Sequence, residues 1–88
     1  MDYALLLDAF ARAPARHGSS GHPWPRQRLL HECLRTAIRD GTLAAGTRLL
    51  ATRALAQELG IARNTVLYAY EQLACEGFVI PDRRGTVV

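Results

Sequence analysis

With 88 residues, 49% of them hydrophobic, the chain reads as a folded domain with room for one small core, not as a disordered segment. Its 11 basic residues against 8 acidic leave a net charge of +3, and all 11 are arginines, a bias that follows from a GC-rich genome or from binding phosphate and guanine in bidentate fashion. The apolar run at residues 4–10 is too short for a membrane span and too acid-flanked for a signal peptide, so a cytoplasmic location is expected.

In chain order, residues 3–13 (YALLLDAFARA) are apolar enough for about three helical turns. Leu6, Phe10 and Ala13 share one face, which Leu5 and Leu7 do not join. Such an arm is expected to pack, either on its own domain or on a partner. Pro14, Gly18, Ser19, Ser20, Gly21, Pro23 and Pro25 then give linker character, and Trp24 is placed to anchor the linker on the domain. The chain divides accordingly into an arm and linker, residues 1–24, and a domain over residues 25–88.

Residues 25–40 (PRQRLLHECLRTAIRD) read as the first long helix, with proline at its start and Gly41 past its end. Leu30, Cys33, Leu34, Ala37 and Ile38 make the stripe of a helix packed on one side. Arg28, Arg35 and Arg39 lie off it and read as a solvated face. Residues 41–50 are a loop with a short strand at 47–50. Cys33 and Cys75 both fall on faces with apolar neighbours and read as free core thiols.

Residues 53–77 (RALAQELGIARNTVLYAYEQLACEG) read as two helices around a tight turn. Leu55, Ala56 and Leu59 give the first helix an apolar face; Val66, Tyr70 and Leu73 give the second another. Gly60 sits where the reversal needs positive φ, and Ile61 points back into the pair. Ala56, Gly60 and Val66 match the small, turn and branched positions of a helix-turn-helix. Gly77 closes the second helix, and residues 78–88 form a hairpin whose tip holds Asp82, Arg83, Arg84 and Gly85. The expected fold is mostly α with a small β-hairpin: a winged helix-turn-helix, with a recognition helix at about 63–76 and a wing at 79–88.

The segments AIRDGTLAAGTRL and RALAQELGIARNTVLYAYEQLACEGFV together resemble the GntR family of bacterial transcription regulators. RNTV-x-x-AYEQL-x-x-EG is similar to its MocR-like branch, and the resemblance covers residues 25–88 in order and spacing. It implies sequence-specific binding of double-stranded DNA by this chain. In the branch a linker joins this domain to a large aminotransferase-like domain that binds pyridoxal phosphate. That effector domain is expected to be absent here, so the cofactor is implied only for a longer parent protein and none for this chain. A homodimer stays open. The alternative is a protein-interaction or dimerisation module that uses the arm through Leu5, Leu6, Leu7 and Phe10.

Arg63, on the first turn of the recognition helix, is placed to bind guanine O6 and N7, worth about 1–3 kcal/mol of discrimination. Asn64 suits adenine, and Thr65 suits a phosphate or a thymine methyl; both also suit a helix start. Tyr68, one turn on, either reaches the DNA backbone or packs half-exposed. Arg53 matches an arginine that contacts DNA in the resembling family, and it sits at a helix start where the dipole disfavours a cation. Arg48 either joins it or pairs with a carboxylate. Arg83, Arg84 and Gly85 form a wing tip shorter than the family's usual Gly-Ser-Gly-Thr turn. Glu71 and Glu76 lie at the far end of the recognition helix, as a DNA face needs. Leu50 and Ala51 stand where the family commonly has proline and serine. Ala62 stands where a serine or threonine is usual, which removes a cap worth about 1 kcal/mol. His17, His22, His31, Cys33 and Cys75 lack metal-ligand spacing, and the chain has no catalytic constellation and too little length for a pocket.

Overall fold

A computed structural model describes residues 2–12, 24–82 and 85–88. Four helices precede a two-stranded hairpin: α1 (Tyr3–Ala11), α2 (Arg26–Arg39), α3 (Thr52–Leu59), α4 (Arg63–Cys75), β1 (Ile80–Asp82) and β2 (Gly85–Val87). This is the winged helix-turn-helix arrangement that the apolar periodicities predict.

Asp2 caps α1 by accepting the Leu5 N–H at 3.0 Å. The helix turns Tyr3, Leu6 and Leu7 onto the core and leaves Leu5 exposed. Leu6 on this face and Leu5 off it match the sequence reading, and Phe10 is half-buried; Tyr3 and Leu7, which that reading left off the face, join it. A helix that begins at Tyr3 carries residues 3, 6 and 7 on one side, at the i, i+3, i+4 spacing. Ala13 lies outside the described residues. The arm thus packs on its own domain, against α2 and α3.

Pro25 is the N-cap of α2, and the helix buries Leu30, Cys33, Leu34 and Ala37 as its stripe predicts. His31 is buried beside them. From α3 come Leu55 and Ala56; from α4 come Val66, Ala69, Tyr70 and Leu73; Leu43, Leu49 and Val79 close the core.

Both helices of the motif end the same way. Gly60 takes φ 66° and ψ 36°, a conformation that costs glycine little. The Ile61 N–H then bonds the Ala56 carbonyl at 3.0 Å, and Phe78 bonds Leu73 at 2.9 Å past Gly77. These are the six-to-one bonds of a Schellman ending, with Ile61 and Phe78 as its apolar followers packed on the core.

The hairpin pairs Ile80 with Val87, Pro81 with Thr86 and Asp82 with Gly85. The loop before α3 adds one further pair, an isolated antiparallel bridge between Arg48 and Val87. Val88 N–H bonds Thr47 O at 2.8 Å, and Leu49 N–H bonds Thr86 O at 2.8 Å. Where a strand was expected at 47–50 there is a single bridge residue, Arg48, and the sheet stays two-stranded. Pro81, which lacks a donor, sits on an edge strand where it does least harm.

Cys33 is buried, but Cys75 is exposed, contrary to the core position expected for it. The buried face of α4 runs through residues 66, 69, 70 and 73, and a residue two past Leu73 points away from it.

Candidate nucleic-acid interface

The recognition helix begins without a side-chain cap. Ala62 is its N-cap and makes no side-chain bond, and Ala51 leaves α3 in the same condition. The helix dipole and open N–H groups at such an end favour an anion. Arg63 and Asn64 stand exposed on this first turn of α4, with Thr65 half-buried behind them. Tyr68 follows at 37% exposure, a position that both suits packing and leaves its hydroxyl accessible.

Arg53 is exposed on the first turn of α3. The two helix starts are joined by a bond the sequence reading missed: Arg63 Nε–H donates to Thr52 Oγ1 at 3.4 Å. Arg48 is the bridge residue of the loop that feeds α3. A Cβ on Gly85 would come within 4.0 Å of Arg48 Nη1, so this guanidinium lies against the wing. The predicted residues Arg48, Arg53, Arg63, Asn64 and Gly85 therefore sit on the two helix starts and the wing base. Arg83 and Arg84 lie outside the described residues.

Charge is sorted along α4. Glu71 is exposed in its second half, and Glu76 closes its end. The Glu76 carboxylate meets His31 Nε2 at 2.5 Å and Arg35 Nη1 at 3.1 Å. Arg35 also reaches Glu32 at 3.4 Å. Hydrogen bonding to His31, then attraction to its charged form and to Arg35, holds the Glu76 carboxyl below its ordinary range. Of the face read as solvated, Arg35 is thus ion-paired, and Arg28 stacks on the Trp24 ring at 3.9 Å. That stack is the anchor expected of Trp24.

Between α1, the start of α2 and the α3–α4 turn lies an open cleft of about 340 Å³, more room than so short a chain was expected to leave. Leu7, Leu29 and Ile61 line it, with Asp8 and Arg26 at its edge. Among the described residues no helix is long and apolar enough to cross a membrane, and no three His, Cys, Asp or Glu side chains are grouped to hold a metal.

Known proteins share this arrangement. The chain is 47% identical over 62 residues to the "Probable rhizopine catabolism regulatory protein MocR" of Rhizobium meliloti, an alignment that takes in 70% of this chain and 12% of that protein. It is 35% identical to the "HTH-type transcriptional regulator TauR" of Rhodobacter capsulatus, over 97% of this chain and 16% of that one. The chain therefore spans less than a fifth of the length of these two relatives. Among solved structures, YtrA from Sulfolobus acidocaldarius, a GntR-family transcription factor, superposes with a TM-score of 0.71 at 28% identity, over 90% of this chain and 79% of that one. A GntR family regulator from Listeria monocytogenes gives 0.69 at 29% identity, over 74% and 58%. Residues 27–88 match the family described as "Bacterial regulatory proteins, gntR family". With its four helices, its hairpin and MocR-type relatives, the chain belongs to the GntR family and is a helix-turn-helix DNA-binding domain of its transcription regulators.

Proposed function

We propose that the domain reads a specific double-stranded DNA sequence by placing the start of α4 in the major groove. One observation carries this reading: the uncapped first turn of α4 exposes Arg63 and Asn64 at the end of the helix opposite Glu76. Arg63 contacts a base edge, Asn64 and Thr65 contact a base or phosphate, and Arg53 holds phosphate at the neighbouring helix start. Arg48, Tyr68 and the wing residues Arg83, Arg84 and Gly85 flank the backbone of the adjacent groove.

The domain acts where the bacterial chromosome is, in the cytoplasm, and as a non-catalytic module. The chain contains no lysine with which to hold pyridoxal phosphate as a Schiff base. The cofactor belongs to the second domain that the MocR-like branch carries. Two copies are needed wherever the target is a repeated or palindromic half-site. The competing reading of the arm as a docking surface loses most of its surface, since Leu6 and Leu7 pack on the core and Leu5 alone of the three leucines is strongly exposed, at 65%.

The test is an amide NMR titration with a mixed-sequence duplex at low and moderate salt. Shifts at Arg53, residues 63–68 and Gly85 that fade with salt support the reading. Shifts confined to residues 3–10 overturn it.

A further inference from the structure

The recognition helix is fastened to the entry of α3 along its length as well as at its start. Tyr70 stands about two turns past Arg63 on the buried face of α4. Its hydroxyl donates to the Leu50 carbonyl at 2.6 Å. Burial first, and Tyr3 second, push this phenol well above its ordinary range, so it stays protonated and remains a donor. The helical ladder of α3 opens one residue later, where the Leu55 N–H bonds the Ala51 carbonyl. Leu50 therefore lies just ahead of the helix, and its carbonyl takes the Tyr70 proton. On the other side of the same segment, the Leu49 N–H bonds the Thr86 carbonyl of the wing at 2.8 Å. At the first turn of α4, Arg63 Nε–H reaches Thr52 Oγ1 at 3.4 Å. Residues 49–52 are thus held between the wing and two points of α4.

Three parts of the proposed DNA face meet through this segment: Arg53 follows it on the first turn of α3, Arg63 and Asn64 open α4, and Gly85 opens the second strand of the wing. Groups that must engage one duplex together bind more tightly when their spacing is set beforehand, because less freedom is lost on association. Leu55 and Ala56 fix the body of α3 in the core. Its first turn has no side-chain cap bond and takes its position from the segment before it.

We infer that Tyr70 is a positioning residue for DNA binding: by holding the Leu50 carbonyl, its hydroxyl sets the start of α3, and with it Arg53, at a fixed place beside the recognition helix. The buried face of α4 then serves the exposed one. This rests on the reading of Arg53 as a phosphate contact.

The test uses the whole 88-residue chain and a duplex selected from a random-sequence pool by the unaltered protein. Tyr70→Phe removes the hydroxyl and keeps the ring. Well below melting, it is expected to make the salt dependence of binding shallower by about 0.9, the loss of one phosphate contact, and to weaken the complex roughly eightfold near 0.1 M salt. In an Arg53→Ala background it is expected to change the slope no further. In the DNA-free protein, NMR order parameters at the amides of residues 51–53 are expected to fall, and the Arg63 Nε–H resonance to move. A purely structural role lowers the melting temperature but leaves the slope at the parent's value, or reduces it equally in both backgrounds; either result overturns the inference. If Tyr70→Phe does not fold, it is compared with its parent in an Ala62→Ser background, where a cap on α4 adds stability, under the same criteria. An unchanged slope for Arg53→Ala sinks the reading of Arg53 as a phosphate contact, and the DNA-free order parameters then decide by themselves whether Tyr70 holds the start of α3.

Discussion

Arg63, Ala62 and Glu76 each carry a separate consequence for the behaviour of α4. Arg63→Ala is expected to lose about tenfold in affinity for a selected site and to flatten the preference at one base pair, because the lost contact is worth about 1–3 kcal/mol. Binding of an intact preference by that variant in a competition assay would rule out base reading by this side chain. Ala62→Ser supplies the cap that α4 lacks, and is expected to raise stability by about 1 kcal/mol in urea unfolding. The Glu76 carboxyl is held down by His31 and then Arg35. A depressed folded-state pKa contributes stability that is present above the unfolded value and is lost as the pH falls through the folded one. The domain is therefore expected to weaken in acid below the ordinary carboxylate range of about 4.3, with Glu76→Gln flattening that limb of the stability curve. An unchanged acid limb in the variant would show that other carboxylates set it. None of these partnerships was legible in the sequence: His31 and Glu76 are 45 positions apart, and spacing rules reach only along one element.

At the scale of elements, the parts read correctly from the sequence are those whose pattern is local. The α2 stripe, the α3–α4 turn with positive φ at Gly60, and the apolar face of α4 all repeat at helical spacing, so periodicity alone places them. In the arm, Leu6 and Leu5 fall where the sequence reading put them, on and off the buried face, whereas Leu7 joins that face beside Tyr3 and Leu6 at the i, i+3, i+4 spacing. Of the candidate site, Arg53, Arg63 and Asn64 were legible as polar residues at helix starts, whereas the Arg63–Thr52 bond was not, because it crosses between two helices. The turn between those helices also makes a test. Gly60 has φ 66° with open space around its Cα, so Gly60→Ala is expected to cost about 1–2 kcal/mol from backbone conformation alone. Thermal unfolding measures it. A variant as stable as the parent would mean that the turn has a second conformation open to alanine.

Across the whole molecule, a net charge of +3 is mild, so the strength of DNA binding depends on how that charge is distributed. Arg12 is paired with Asp8 and Arg35 with Glu32 and Glu76, while Arg28 stacks on Trp24. Arg53 and Arg63 instead stand exposed at uncapped helix starts, with Arg48 beside the wing. Phosphate neutralisation releases counterions, with a slope of about −0.9 in log affinity per log salt for each phosphate engaged. If three to five of the proposed contacts reach phosphate, the slope lies between about −2.7 and −4.5. Arg53→Ala is expected to make it shallower by about 1 while leaving the order of preferred sequences unchanged. Arg35→Ala is expected to leave the slope as it is, because that guanidinium serves the contact between α2 and the end of α4. Fluorescence anisotropy over a salt series measures both. A slope that responds to Arg35 and not to Arg53 would place the phosphate-binding face on α2 rather than at the helix starts, and the orientation proposed for the recognition helix would have to be reversed.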